Sequence, residues 1–216
     1  MDIGAINKED AEKKVSIGDP MVLDVLPLEL GENLIASKSC DNRVGAMVLL
    51  RVMDKLKIHR DNGAKFTQVA FVATVKEEIG IVSQGALTST YQYKPNMAIC
   101  IDGTFATDHP DSDEKRASIK LGGGPVIHRG NVSDKEMVSL LRKVAKEGPY
   151  EIKTQLEATP GYSSTDADYI QSSRKGVRTA LISYPTRYMH TPCEMVSFSD
   201  IEETAELITR FVLETK

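Results

Sequence analysis

The apolar residues of this chain fall into short runs with the pattern of buried β-strands. Residues 69–75, 97–102 and 177–184 are dominated by Val, Ile, Leu, Phe and Ala and carry few charges. Apolar runs of this length are typical of strands buried on both faces of a sheet. Residues 117–127 and 151–157 alternate between polar and apolar positions, which is also a strand pattern. Five strands are therefore predicted between residues 69 and 184.

Helical periodicity marks segments between and after these strands. From residue 44 to residue 56, the apolar side chains at positions 44, 47, 48, 52 and 56 lie on one face of a helix. Capping boxes, Ser133 with Glu136 and Ser199 with Glu202, open two further helices. At 216 residues the chain is most simply one α/β domain. Shorter helices are predicted at residues 7–14, 80–90 and 167–173.

Residues 1–35 have a weaker pattern than the rest of the chain. A short helix and two short strands, at residues 21–25 and 34–36, are the elements they predict. This segment is too small to form a core of its own. We therefore expect it to be the tail of a larger unit.

Composition excludes several classes of function. Hydrophobic residues make up 41% of the chain and charged residues 27%, as in ordinary globular proteins. The net charge of −4 gives no basic footprint for nucleic acid. No apolar signal region or membrane-length run occurs in the sequence, and three widely spaced cysteines argue against a disulfide framework. We expect a cytoplasmic protein that binds neither nucleic acid nor membranes.

Acidic residues and one histidine stand where the predicted elements begin or end. Glu77 and Glu78 follow the first apolar strand, and Asp102 closes the second. Asp41 precedes the helix at residues 44–56, and His190 follows the last apolar strand. Ligands of open α/β sheets bind at the carboxyl ends of the strands. Carboxylates with one imidazole are a ligand set for divalent zinc, cobalt or manganese, so these positions predict a metal site.

Ordinary structural roles remain open for the same residues. The adjacent acids could be a solvated pair at the end of a core strand. Asp41 could be an N-cap and Asp102 a turn former, and a single histidine after a strand is more often structural than a metal ligand. Three glycines at positions 122–124 could cradle a phosphate, but no Gly-Lys-Ser/Thr follows them, which excludes a P-loop. The shared position at element ends is what favours the metal site.

Five motifs, in order along nearly the whole chain, resemble one enzyme family. The motifs are Cys-Asp41-Asn-Arg-Val-Gly, Val-Lys-Glu77-Glu78-Ile-Gly, Ile-Asp102-Gly-Thr-Phe-Ala-Thr-Asp108-His-Pro, Ser-Thr-Asp166-Ala and Pro-Thr-Arg187-Tyr-Met-His190-Thr-Pro. They resemble the dinuclear-metal aminopeptidases, which include glutamyl and deblocking aminopeptidases and the large tetrahedral aminopeptidases, some labelled cellulase or endoglucanase. The resemblance implies a central mixed, mostly parallel sheet flanked by helices.

The resemblance also implies roles for these residues. Asp41 would bridge two divalent metal ions, zinc or cobalt. Glu78 and His190 would complete the first metal site, and Asp102 would bind the second ion. Glu77 would be the general base in the hydrolysis of the N-terminal peptide bond of a peptide substrate.

Further expectations come from the same motifs. Asp166 and Arg187 are expected near the substrate, and the peptide bond Asp41–Asn42 is expected to be cis.

Three cysteines, at positions 40, 100 and 193, each lie within three residues of an expected metal ligand. They could supply a thiolate ligand, but we favour three small buried residues, since free cysteine is commonly buried.

The sequence departs from the family pattern in its N-terminal part. Members carry one more metal-ligating histidine in an early His-x-Asp segment, followed by an inserted dimerisation domain. None of the four histidines precedes Asp41; they are His59, His109, His128 and His190. A milder departure is Asn42, at a position where aspartate is common.

These departures imply domain boundaries and leave two functional hypotheses. Residues 1–35 would be the tail of the dimerisation domain, and residues 36–216 a catalytic domain incomplete at its N-terminus. The resemblance implies homo-oligomers, and we expect most of the oligomerisation domain to be absent from these 216 residues. One hypothesis is a metal-dependent aminopeptidase; the other is a non-catalytic paralogue that keeps the fold and at most one metal. We expect one complete metal site, unless another residue such as His109 fills the vacant ligand position.

Overall fold

The computed structural model describes residues 1–79, 82–110, 112 and 118–215. Helices and strands alternate along most of the chain. The strands are β1 (Leu28–Leu30), β2 (Leu34–Ser37), β3 (Met97–Phe105), β4 (Val126–Gly130), β5 (Gln155–Thr159), β6 (Arg178–Thr186) and β7 (Glu194–Ser197). The helices are α1 (Lys8–Glu12), α2 (Cys40–Asp61), α3 (Gln84–Tyr93), α4 (Lys135–Lys146), α5 (Asp166–Ser172) and α6 (Phe198–Glu214). None of the helices described is long and apolar enough to cross a membrane.

The central sheet has four strands in the order β3-β6-β4-β5. β3 pairs with β6 in parallel, β4 pairs with β5 in parallel, and β4 and β6 are antiparallel. This mixed, mostly parallel sheet confirms the α/β fold expected from the sequence. A smaller antiparallel sheet, β1-β2-β7, joins residues near both ends of the described chain.

The main core lies between the central sheet and the helices α2, α4 and α6. The α2 residues Val44, Val48, Val52 and Leu56, spaced four apart, are buried in it, as the helical periodicity predicts, whereas Met47, predicted on the same face, is exposed. They pack with buried residues of α4 and α6 and with the inward side chains of β6. A smaller cluster on the other face of the sheet includes Ala167 of α5 beside Cys100 and Leu181. The sheet is therefore covered on both faces, which leaves the ends of its strands free to form a site.

The structure corrects several predicted boundaries. Residues 21–25 form no strand, and β1 follows them instead. The strands predicted at 117–127 and 151–157 are β4 and β5, which lie further along the chain. α3 begins at Gln84, and residues 80 and 81 of the helix predicted there lie outside the described residues. Asp134 caps α4 in place of Ser133, accepting from Glu136 N and Met137 N, and α6 begins before Ser199.

The largest correction concerns residues 69–75, which were predicted to be a buried strand. They form neither helix nor strand, and residues 66–74 make no backbone–backbone hydrogen bond with the described part of the chain. Val69 and Phe71 are partly buried against the main core, but Val75 is 65% exposed, so the predicted burial on both faces is wrong as well. A strand needs neighbouring backbone to pair with, which an apolar run alone does not provide.

Candidate metal centre

Asp41, Glu78 and His190 converge at one point. His190 Nε2 lies 3.2 Å from Asp41 Oδ2 and 3.7 Å from Glu78 Oε2. One ligand atom from each residue lies within 4.8 Å of the other two. Since zinc binds nitrogen and oxygen ligands at about 2 Å, one ion fits among these three atoms. The Asp41 side chain is 6% exposed and that of His190 57%, so the site opens to solvent on the histidine side.

A sharp corner of the main chain presents Asp41. Ser39 has a φ of +58°, and the peptide bond Asp41–Asn42 is cis, as expected from the sequence motif. Asp41 and Asn42 have non-helical backbone angles, so regular α2 geometry begins after them. Asp41 is therefore not the ordinary N-cap that the sequence pattern left open.

Buried Glu194 connects the two ends of the site and was not singled out from the sequence. Its Oε2 accepts a hydrogen bond from Asp41 N at 2.9 Å, and its Oε1 accepts one from His190 N at 2.8 Å. Glu194 is only 3% exposed. The signal that could have found it is an acid four residues after His190, at the start of a strand, where a polar residue needs buried partners.

Asn42 links the corner to Ile101 and Asp102, which lie within β3. Its Nδ2 donates to Ile101 O and to Asp102 Oδ1, both at 2.9 Å. Its Oδ1 accepts from Gly45 N and from Tyr184 Oη, both at 3.0 Å. Both the nitrogen and the oxygen of the Asn42 side-chain amide therefore have hydrogen-bond partners within the protein.

We predict that Asn42→Asp destabilises the chain. The aspartate would lose both donated hydrogen bonds and would add a negative charge to a crowded group of carboxylic acids. We expect the free energy of unfolding to fall by about 2 kcal/mol or more in the metal-free chain. Urea unfolding of wild type and variant at neutral pH, without metal, measures this loss. An unchanged midpoint would show that the side chain can turn to solvent.

Glu77 and Asp102 lie in the same electrostatic environment as Asp41. Burial, together with the charges of Glu78, Asp166 and Asp41, raises the pKa of Glu77 to about 7. Burial and the charges of Asp41 and Glu77 raise the pKa of Asp102 to about 8. Crowded carboxylates favour a bound cation, which would lower these pKa values again.

Asp102 is not part of a group of three close ligand atoms among the described residues, whereas Glu78 is. Its Oδ1 accepts from Asn42 Nδ2 and from Gly103 N at 2.8 Å. Among the described residues, the group with three mutually close ligand atoms is that of Asp41, Glu78 and His190. The suggested substitute His109 is bound through Nδ1 to Pro110 O and packs its ring against Tyr188. No third ligand for a metal at Asp102 is found in the described part of the chain.

Asp166 and Arg187, expected near the substrate, both have partners within the protein. Asp166 is buried and accepts from Thr74 Oγ1 at 2.5 Å. Arg187 makes a bidentate ion pair with Asp108, at 2.8 and 2.7 Å. Burial opposes it, but the hydrogen bonds from Arg187 and from Leu121 N lower the pKa of Asp108. Contact of Asp166 or Arg187 with substrate stays a prediction.

Two of the three cysteines are buried, and the third corrects our expectation. Cys40 and Cys100 are buried, whereas Cys193 is exposed. Burial and the charge of Glu194 raise the pKa of Cys40 to about 11, and burial raises that of Cys100 well above its usual range. Thiols with such pKa values stay protonated at neutral pH, as expected of small buried residues. The expectation of burial was wrong for Cys193, which lies in the turn between His190 and β7.

Comparison with known proteins now decides the family. The model of the M42 glutamyl aminopeptidase family matches residues 1–207. The chain belongs to the M42 family. The resemblance drawn from the sequence motifs is thereby confirmed.

Individual M42 relatives match the chain along almost its full length. The lysyl aminopeptidase of Pyrococcus furiosus is 31% identical over 217 residues, which are 100% of this chain and 59% of the relative. The structure of aminopeptidase APDkam598 from Desulfurococcus kamchatkensis is 33% identical, with a TM-score of 0.84, over 100% of this chain and 59% of that one. A Thermotoga maritima protein named as an endoglucanase is 30% identical, with a TM-score of 0.65, over 94% of this chain and 57% of that one.

One M42 relative is known as a large assembly. The TET1 peptidase of Pyrococcus horikoshii, which can assemble into a tetrahedron or an octahedral shell, is 26% identical to this chain. Its TM-score is 0.77, over 99% of this chain and 60% of that one. The chain thus spans about 60% of the length of the relatives it matches.

Proposed function

We propose that this chain carries a metal-dependent aminopeptidase centre in which Asp41, Glu78 and His190 hold one divalent ion, zinc or cobalt. The observation that carries the proposal is the approach of their three ligand atoms to within 4.8 Å of one another. An imidazole nitrogen with carboxylate oxygens suits zinc and its borderline neighbours better than magnesium or calcium. The half-exposed His190 side leaves room for water and substrate.

The protein residues around this ion would carry the proton transfers. When bound, the ion would polarise the scissile carbonyl and make a nearby water more acidic. Glu77, next to Glu78 in the chain, would accept the proton of the attacking water as its oxygen adds to the carbonyl carbon. The carbon–nitrogen bond then breaks, and Glu77 would deliver that proton to the leaving amine.

A second candidate function is a one-metal chain with little or no peptidase activity. The observation that favours it is the surroundings of Asp102, where Asn42 and Gly103 donate to Oδ1 and no third ligand lies in the described residues. Two divalent ions are expected for the family, with Asp41 as the bridge. In this chain the second ion would rely on Asp41 and Asp102 and would bind weakly, because catalytic zinc usually has three protein ligands.

The two candidates make different predictions for metal titration. We expect calorimetry with zinc and with cobalt to show one tight ion per chain. We expect hydrolysis of leucyl-, lysyl- and glutamyl-anilides by the zinc-loaded chain to be weak. Two tight ions with ordinary turnover would contradict the one-metal candidate, and no tight ion at all would contradict both. One tight ion with no turnover would leave the one-metal, non-catalytic candidate.

The wider setting of the site is proposed from the same family membership. The substrate would be the free N-terminus of a peptide, handled in the cytoplasm. Residues 1–35 would belong to a dimerisation domain, and residues 36–216 to the catalytic domain. Self-association is proposed because TET1 of Pyrococcus horikoshii forms large shells, and size-exclusion chromatography with light scattering tests it.

A further inference from the structure

The acid pair Glu77–Glu78 follows a segment that the sheet does not hold. Residues 66–74 form no backbone–backbone hydrogen bonds within the described part of the chain. A metal ligand at the end of an unpaired segment would sample many positions. Something other than strand pairing must therefore set where these two carboxylates stand.

Two contacts hold the residues immediately before the pair. Thr74 Oγ1 donates a hydrogen bond to Asp166 Oδ2 at 2.5 Å. At the next residue, Gly85 N of α3 donates to Val75 O at 3.1 Å. One contact uses a side chain and the other uses main chain, so position and rotation of the segment are both restricted.

The packing at Gly85 shows how closely α3 approaches this segment. A Cβ atom at Gly85 would lie 2.7 Å from Val75 O and 3.1 Å from Thr74 Cβ. Only a residue without a side chain fits this approach. Directly after the contact, Lys76 has a φ of +62°, so the chain turns sharply and then presents Glu77 and Glu78.

Asp166 is a rigid anchor that stability alone does not explain. It is 7% exposed, and its Oδ1 has no hydrogen-bond partner among the described residues. A buried carboxylate oxygen without a partner costs free energy. Its neighbours hold it firmly, since Thr165 caps α5 by accepting from Ala167 N, and Ala167 is fully buried.

We propose that Thr74 and Asp166, with the close approach of Gly85, form a clamp that positions Glu78 for the metal ion and Glu77 for proton transfer. Asp166 is in this view a positioning residue and not a metal ligand. The inference rests on the proposed metal centre, whose own residues it leaves unchanged.

The matched pair Thr74→Val and Thr74→Ser tests the clamp. The valine has a similar shape and lacks the hydroxyl, whereas the serine keeps it. We expect Thr74→Val to weaken zinc binding, measured by calorimetry, by about ten-fold or more, as outer-shell substitutions commonly do. We expect Thr74→Ser to stay within about two-fold of wild type and so to rescue the site.

A second readout separates positioning from a merely structural role. The visible spectrum of the cobalt-loaded chain reports ligand geometry, and we expect it to change in Thr74→Val but not in Thr74→Ser. Thr209→Val is the control, because buried Thr209 Oγ1 donates within α6, to Ala205 O, away from the clamp. A lower thermal midpoint with unchanged zinc affinity and cobalt spectrum would overturn the clamp and leave the metal centre standing. A wild-type chain that binds no zinc would overturn the metal centre and the clamp with it.

Discussion

Replacing His190 with alanine should abolish tight zinc binding by this chain. The imidazole supplies the nitrogen ligand of the three-residue group, and its Nε2 lies within 3.7 Å of both carboxylate partners. Without it, two carboxylates remain, and they repel each other. The loss of affinity should exceed the roughly 10–100-fold that substitutions outside the ligand set cost. Calorimetric titration of the purified chain measures the difference.

His59→Ala is the matched control for this substitution. His59 lies near the end of α2, is exposed, and is not part of the three-residue group. Its removal should leave zinc affinity unchanged. The fold should survive both changes, because the His190 side chain is 57% exposed and adds little to the core. If His190→Ala bound zinc as tightly as wild type, the ion would have other ligands and the proposed centre would be wrong.

The convergence of Asp41, Glu78 and His190 could be predicted from sequence because each lies where an apolar run begins or ends. Asp102 ends an apolar run of the sequence, although β3 continues past it to Phe105. The parallel pairing of β3 with β6 directs the carboxyl ends of both strands, and the turn that carries His190, to one edge of the sheet. Family resemblance then assigned roles that pattern alone left open. The fold class followed from the same alternation of strands and helices.

Other features depend on partners that a linear pattern does not contain. Residues 69–75 carry the composition of a strand, yet a strand exists only where neighbouring backbone accepts its hydrogen bonds. Asn42 could be read as a weakened aspartate, whereas in the structure its amide both donates to Asp102 and accepts from Tyr184. The contribution of such a residue to stability depends on contacts with residues 60 and 142 positions away in the chain.

Glu194 is the clearest case of a residue that sequence reasoning missed. It supplies no atom to the three-residue group, and its position four residues after His190 gains meaning only once its buried partners are known. Its importance comes from two main-chain donors, Asp41 N and His190 N, which are distant in sequence. One buried carboxylate thereby sets the separation of two proposed metal ligands.

Glu194→Gln should weaken both the fold and the metal centre. A glutamine has one acceptor oxygen where Glu194 has two, so either Asp41 N or His190 N would face an amide nitrogen. We expect the metal-free chain to lose about 1–3 kcal/mol of unfolding free energy, because a buried main-chain donor is left unpaired. We expect zinc affinity of the folded chain to fall by about 10–100-fold, because the two ligands lose their shared support.

Glu202→Gln provides the comparison for Glu194→Gln, since Glu202 lies on the outer face of α6 in a half-exposed pair with Arg51. Exposed pairs of this kind contribute at most about 1 kcal/mol, and this one is not part of the proposed metal centre. Urea unfolding without metal and calorimetry with zinc should therefore both show a loss in Glu194→Gln and little change in Glu202→Gln. Loss of stability with full zinc affinity in Glu194→Gln would mean that Asp41 and His190 are held together by other contacts. Loss of both quantities would show that one buried carboxylate couples the folding of this corner to the geometry of its ligands.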